Sequence, residues 1–90
     1  MVLPKVQNCI SSKGNVVPNQ FVITTPKGYI FQSYSTIIAY MPHTGKIQLD
    51  ENSWDCSVTT GRYRNDFLGE GIKETRENID SGKYLLKNLN

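Results

Sequence analysis

Residues Trp54 to Gly71 read W-D-C-S-V-T-T-G-R-Y-R-N-D-F-L-G-E-G, and this stretch decides the fold because the hydrophobic period changes inside it. Ser57, Thr59 and Thr60 each offer a hydroxyl able to cap free backbone N–H groups at a helix start. Tyr63 and Phe67 stand four apart and share one helix face, while Arg62 and Asp66 are spaced to pair on another. Gly69 or Gly71 ends this helix. A second helix is expected from about Ile72 to Ser81, with Ile72, Thr75 and Ile79 inward and Gly82 as the stop. Lys73 with Glu77 and Arg76 with Asp80 are spaced to pair on its solvent side.

Working back from Trp54, the chain reads as strands. Lys46 to Asp50 alternates, with Ile47 and Leu49 inward and Lys46, Gln48 and Asp50 outward. Ile37 to Met41 is apolar on both faces and fits a central strand. Tyr29 to Tyr34 pairs with Phe21 to Thr25 across Pro26-Lys27-Gly28, where glycine is expected to take a left-handed turn position. Pro18 and Asn19 are expected to keep Val16-Val17 out of a central strand. Lys5 to Ile10 is a first strand, and Tyr84 to Leu89 a last one rejoining the sheet, with a helical tail as the alternative. The fold class is therefore α+β: an antiparallel β-meander of five to six short strands with two short helices packed on one face, in a single domain spanning residues 1–90.

A chain of 90 residues with 38% hydrophobic, 10% aromatic and 20% charged residues is globular in composition and too short for two independent cores. Its formal charge of +2 and pI of 8.6 fall just short of a strongly basic nucleic-acid binder. Thr36 to Pro42 is too short to span a bilayer, and Met1 to Lys5 lacks the pattern of a signal peptide. Cytoplasmic residence is the expectation. Cys9 and Cys56, 47 positions apart and outside any metal-binding spacing, read as two half-buried thiols.

No catalytic constellation stands out. Asp50, Glu51 and Asp55 form an acidic cluster of the kind that holds Mg²⁺ in hydrolases, but carboxylates before a helix also serve its positive end. His43 lies in a Pro/Gly turn with no orienting partner named by spacing. The expectation is a non-enzymatic protein with no cofactor and no metal. Arg62, Arg64 and Asn65 on the first helix, with Lys73 and Arg76 on the second, are the residues that structural roles leave unexplained. They are the candidate interaction surface. Arginine and asparagine also contact phosphates and base edges, so a nucleic-acid-binding protein using the helical pair 58–81 is the alternative. Asp66, Glu70, Glu74, Glu77 and Asp80 interleave with those cations and weaken their field.

The chain resembles a family of short, uncharacterised proteins carried by bacteriophages, plasmids and other mobile elements of low-GC Gram-positive bacteria. The resemblance rests on F-x-S-Y at Phe31, Ser33 and Tyr34, on I-I-A at Ile37 to Ala39, and on W-D-x-S-x-T-T-x-x-Y at Trp54, Asp55, Ser57, Thr59, Thr60 and Tyr63. R-N-x-F-L-G-E continues it at Arg64, Asn65 and Phe67 to Glu70, and K-E-T at Lys73 to Thr75. Cys56 departs from the tyrosine usual at its position. The resemblance implies an accessory protein that binds a host macromolecule, as an inhibitor of a host enzyme or defence system or by binding nucleic acid, with a host protein as the expected partner. No membrane partner is expected, since no apolar run is long enough to span a bilayer. It transfers no catalytic residue, and monomer and homodimer both stay open.

Overall fold

The computed structural model describes residues 5–90; the expectation drawn from Met1 to Pro4 concerns residues outside that range. Six strands and two helices follow in the order β1 (Lys5–Ile10), β2 (Val16–Thr25), β3 (Gly28–Ser33), β4 (Thr36–Pro42), β5 (Gln48–Asp50), α1 (Val58–Leu68), α2 (Ile72–Asp80) and β6 (Leu85–Lys87). The strands form one sheet in sequence order. Each joint is antiparallel except the last, where β6 runs parallel to β5 after the chain has crossed through both helices. The helical period thus inserts a crossover into the meander.

Two bulges explain where the strands depart from their expected faces. Opposite β1, the register jumps from Asn8↔Phe21 to Ile10↔Val16, so Pro18 and Asn19 sit in the surplus backbone of β2. Asn19 takes a left-handed φ of 66°, and Asn8 Nδ2 donates to the Val17 carbonyl. The proline therefore does not end the extended segment; β2 runs through it as ten residues. In β4 the register moves from Phe31↔Ala39 to Gln32↔Ile37, leaving Ile38 as the extra residue. Ile38 and Ala39 both join the core with Phe31, Leu49, Tyr63 and Tyr84. Full burial of Phe31, Ile38 and Leu49 contributes roughly 1.5–3 kcal/mol per side chain.

Gly28 serves a different purpose from the one expected. A Cβ there would overlap the Met41 carbonyl oxygen and stand 2.6 Å from Pro42 Cα, so glycine lets β4 approach β3 closely. The Pro26-Lys27 turn itself is held by Thr25, whose hydroxyl donates to the Gly28 carbonyl and accepts from the Gly28 and Lys27 amides. The helices cover one sheet face: Phe67 of α1 stacks on Phe31 at 5.9 Å, and Ile79 of α2 packs against the same core. The molecule's shortest dimension, 21 Å, matches one sheet plus one helix layer at about 10 Å each.

Asp50 corrects the simple alternation read for residues 46–50. It is buried, not outward, and its Oδ1 accepts the Leu89 amide at 2.9 Å. The chain after β6 thereby folds back, and the Asn90 side chain pairs with both the N–H and the carbonyl of Ile37 on β4. Burial disfavours the Asp50 carboxylate, yet hydrogen bonds from the Leu89 amide, the Ser53 and Asn90 side chains and the Asn52 amide outweigh it and hold its pKa below the usual value. Since the folded-state value lies below that of the unfolded chain, its stabilisation is complete above the unfolded value and disappears as pH falls through the folded one. Replacing Asp50 with Asn should cost about 1–3 kcal/mol near neutral pH. The deficit should shrink below about pH 4, the unfolded range of an aspartate. Urea unfolding of both proteins across that range checks this.

Candidate functional site

The first helix is seated by a run of hydroxyl and amide hydrogen bonds. Ser57 is its N-cap, its Oγ accepting the Thr60 amide at 3.1 Å and donating to Thr60 Oγ1 at 3.0 Å. Thr60 Oγ1 also meets Ser33 Oγ on β3 at 3.0 Å, and Ser33 accepts from Gln20 Nε2 on β2 at the same distance. Gln20, Ser33 and Thr60 are buried, so these bonds satisfy groups that water cannot reach. The hydroxyls expected to start the helix also weld it to the sheet.

Arg64 is the second anchor, and here the structure corrects the sequence reading. Its side chain is 1% exposed and therefore absent from the helix surface, where it was expected as a contact residue. Nη1 donates to the Trp54 carbonyl at 2.7 Å and to Asp55 Oδ1 at 3.3 Å, and Nη2 donates to Asn65 Oδ1 at 3.0 Å. The guanidinium lies over the Trp54 ring, 5.3 Å from its centroid, where a cation is favoured by the ring's negative face. Arg76 reaches the other Asp55 oxygen at 3.4 Å, so one carboxylate ties both helices to the preceding turn. That arrangement replaces the expected pairing of Arg76 with Asp80. The position of Arg64 was signalled by spacing: Thr60, Tyr63, Arg64 and Phe67 form the i, i+3, i+4, i+7 pattern of an inward face.

Sequence reasoning treated Glu70 only as a charge offsetting its basic neighbours. It is instead a hub. Its carboxylate accepts from Tyr84 Oη at 2.5 Å, from Thr75 Oγ1 at 2.8 Å and from Asn78 Nδ2 at 3.2 and 3.3 Å. The corner between the helices is thus bound to α2 and to the residue before β6. Burial, then the hydrogen bond and the negative charge of Glu70, push the Tyr84 hydroxyl up to about 12. Its partners lie five, eight and fourteen positions away, and no short motif announces such a set.

What remains accessible lies around the start of α1. An open cleft of about 650 Å³ is bordered by Cys56, Val58, Gly61, Arg62, Asp66 and Ile72. Arg62 also borders a second hollow of about 440 Å³ with Ile10, Ser11 and Ser12 of the first hairpin. Val58 is 89% exposed and Tyr34, at the β3–β4 turn, is 65% exposed. Tyr34 holds a left-handed φ of 55°, fixed by its amide on the Asn19 carbonyl and by Gln32 Nε2 on its own carbonyl. A bulky residue in that conformation costs about 1–3 kcal/mol and is found where the side chain is needed.

Lys73 and Arg76 are exposed on α2, and Asn65 is half-buried, accepting from Arg64 Nη2. The acidic cluster is dispersed: Asp50 is buried on Leu89, Glu51 is exposed in the turn, and Asp55 lies between two arginines. His43 is exposed with its ring edge-on to Tyr29. Both cysteines are free; Cys9 is half-buried, with its thiol pKa raised by burial and by Asp66, whereas Cys56 is exposed, against the expectation of two half-buried thiols. Among the described residues no group of three or more His, Cys, Asp or Glu side chains comes together, and no helix is long and apolar enough to cross a membrane.

Fold and surface together define a small α+β protein with a polar-anchored helical layer over one face of a six-stranded sheet. A family model matches residues 4–84, nearly the whole chain, and the chain belongs to that family of unknown function, DUF8033. No curated protein and no solved structure shows significant similarity to it.

Two outcomes follow from the anchors. Truncating Arg64 to Ala should cost about 3 kcal/mol, the low end for breaking a buried ion pair because Asp55 keeps 39% exposure. Arg62→Ala should stay within about 0.5 kcal/mol, and urea melts compare the two. In ultraviolet titration one of the five tyrosines should ionise near 12, and Glu70→Gln should bring it back toward the ordinary value of 10. Because the folded value is raised, the Tyr84 contribution to stability is complete below the ordinary value and lost as pH rises through about 12.

Proposed function

We propose that this chain is a non-enzymatic accessory protein of phage or mobile-element origin that binds a host protein and blocks or modulates it. The observation that carries this reading is the open ground at the start of α1. Val58 stands out from the surface there, and Arg62 borders two clefts. Arginine is enriched at protein-binding hot spots, and here an exposed apolar side chain lines the same cleft. The neighbouring polar groups hold one another: Arg64, Asp55, Asn65 and Glu70 are committed to internal contacts. That leaves them as architecture and supports binding over chemistry.

The same placement favours a protein over nucleic acid. With Arg64 buried, the outward cations of the helical pair are Arg62, Lys73 and Arg76, the last paired with Asp55 and the other two four positions from Asp66 and Glu77. A phosphate-tracking surface needs a denser positive stripe. The resemblance to mobile-element proteins of Gram-positive bacteria supplies the host-takeover or anti-defence setting. Affinity purification from a lysate of such a host should yield one dominant protein that survives nuclease treatment. Val58→Asp and Arg62→Ala should each weaken that complex about tenfold or more, equivalent to about 1.4 kcal/mol. An empty capture, or one that nuclease abolishes, would overturn the reading.

A further inference from the structure

Opposite the helices, no helix among the described residues covers the second face of the sheet, and Leu89 of the C-terminal tail lies at its β4 side. The register places Ile23, Ile30 and Tyr40 in one row across β2, β3 and β4, and Phe21, Gln32 and Ile37 in the next. These rows point away from Phe31 and the helices, and the molecule's 21 Å thickness leaves no room for a third layer. Ile30, Ile37, Tyr40 and Leu89 line a hollow of about 270 Å³, with Thr25 and Lys27 at its border and no carboxylate. Val6 on the edge strand β1, paired with Ile23 in the same row, is 57% exposed. The face thus carries a projection at one side and a hollow two strands away.

We infer that a second copy of this chain covers this face, giving a back-to-back dimer of two sheets with the helices outermost. Three features fit a second copy. The broad face measures 34 by 34 Å, which has room for the roughly 800 Å² per partner of a stable interface. Its centre is aliphatic and aromatic with Thr25 and Lys27 at the margin, the usual anatomy of an association surface. Above all, the projection and the hollow lie on opposite sides of β2. A two-fold axis through that region seats Val6 of each copy over the Ile30–Tyr40 hollow of the other, the reciprocal contact that closed two-fold symmetry requires. Sheets stacked in this way pack about 10 Å apart, with inward side chains interdigitated. The dimer leaves both α1 clefts facing outward, so it goes beyond the binding role proposed above and does not depend on it.

Sedimentation equilibrium of the full chain, from low micromolar to near-millimolar concentration, tests the dimer. The expected mass is twice 10.2 kDa at the upper end. Val6→Asp should weaken self-association at least tenfold while leaving the thermal midpoint of the monomer unchanged, because Val6 is already more than half exposed there. Val58→Asp, in the helical layer, should leave the dimer intact. A monomer throughout the range would overturn the proposal. So would a dimer that Val6→Asp leaves alone, or one that Val58→Asp disperses. The host-protein capture reads a different surface, so failure of one experiment leaves the other standing.

Discussion

A buried guanidinium sets the terms for the rest of this molecule. The Arg64 side chain ends in a cationic guanidinium with five N–H donors and no acceptor, and it is 1% exposed. A cation in that position must be matched by acceptors, and the matching fixes its surroundings. The Trp54 carbonyl, Asp55 and Asn65 are each drawn to one guanidinium edge, and the Trp54 ring is held against its face. The turn after β5 therefore has one workable path into α1. Asp55, positioned by Arg64, is then available to Arg76, which brings the second helix to the same corner. The α1 cleft takes its shape from that corner, since Asp55, Gly61 and Arg64 line it.

The helical layer is attached by two kinds of contact. Phe31, Phe67 and Ile79 supply non-directional apolar burial, which fixes that the helices sit on the sheet. The Gln20–Ser33–Thr60–Ser57 run, the Arg64 cluster and the Glu70 hub are directional and fix where. Small domains have little apolar area to spare, and buried polar networks give such a domain one arrangement instead of several. Two groups in these networks, Gln20 Oε1 and Arg64 Nε, are buried without a hydrogen-bond partner among the described residues, so the arrangement carries a cost. With the polar groups of one face consumed in this way, Val58, Tyr34 and Arg62 remain exposed, and the proposed binding rests on Val58 and Arg62 while the proposed association rests on the apolar face.

Much of this was legible from the chain. The change of period after Trp54 locates α1, and its cap, Ser57, and stop, Gly69, are among the residues the sequence offers for those places, because capping and helical spacing are local chemistry. The order β1 to β5 followed from short turns between alternating segments, whereas the sequence shows β6 only as rejoining the sheet and not its parallel pairing with β5. What escaped was non-local. Pro18 looks like a strand breaker, and only pairing with β1 shows the bulge that absorbs it. Asp50 looks outward by alternation, and its inward role depends on Leu89, thirty-nine positions on. Arg64 looks like a surface cation because arginine usually is one. Its place on the Thr60–Tyr63–Phe67 face argued otherwise, but its acceptors come from a turn whose course the sequence does not specify.

Hydrogen exchange at the Arg64 Nε–H, followed by NMR, tests the guanidinium anchor most directly. This proton has no hydrogen-bond partner among the described residues, so its protection reports burial and rigidity of the anchor. The account predicts exchange as slow as that of the core amides of β3 and β4, while the corresponding proton of exposed Arg62 exchanges at the rate of a free side chain. Equal, fast exchange at both arginines would place Arg64 on the surface and contradict it.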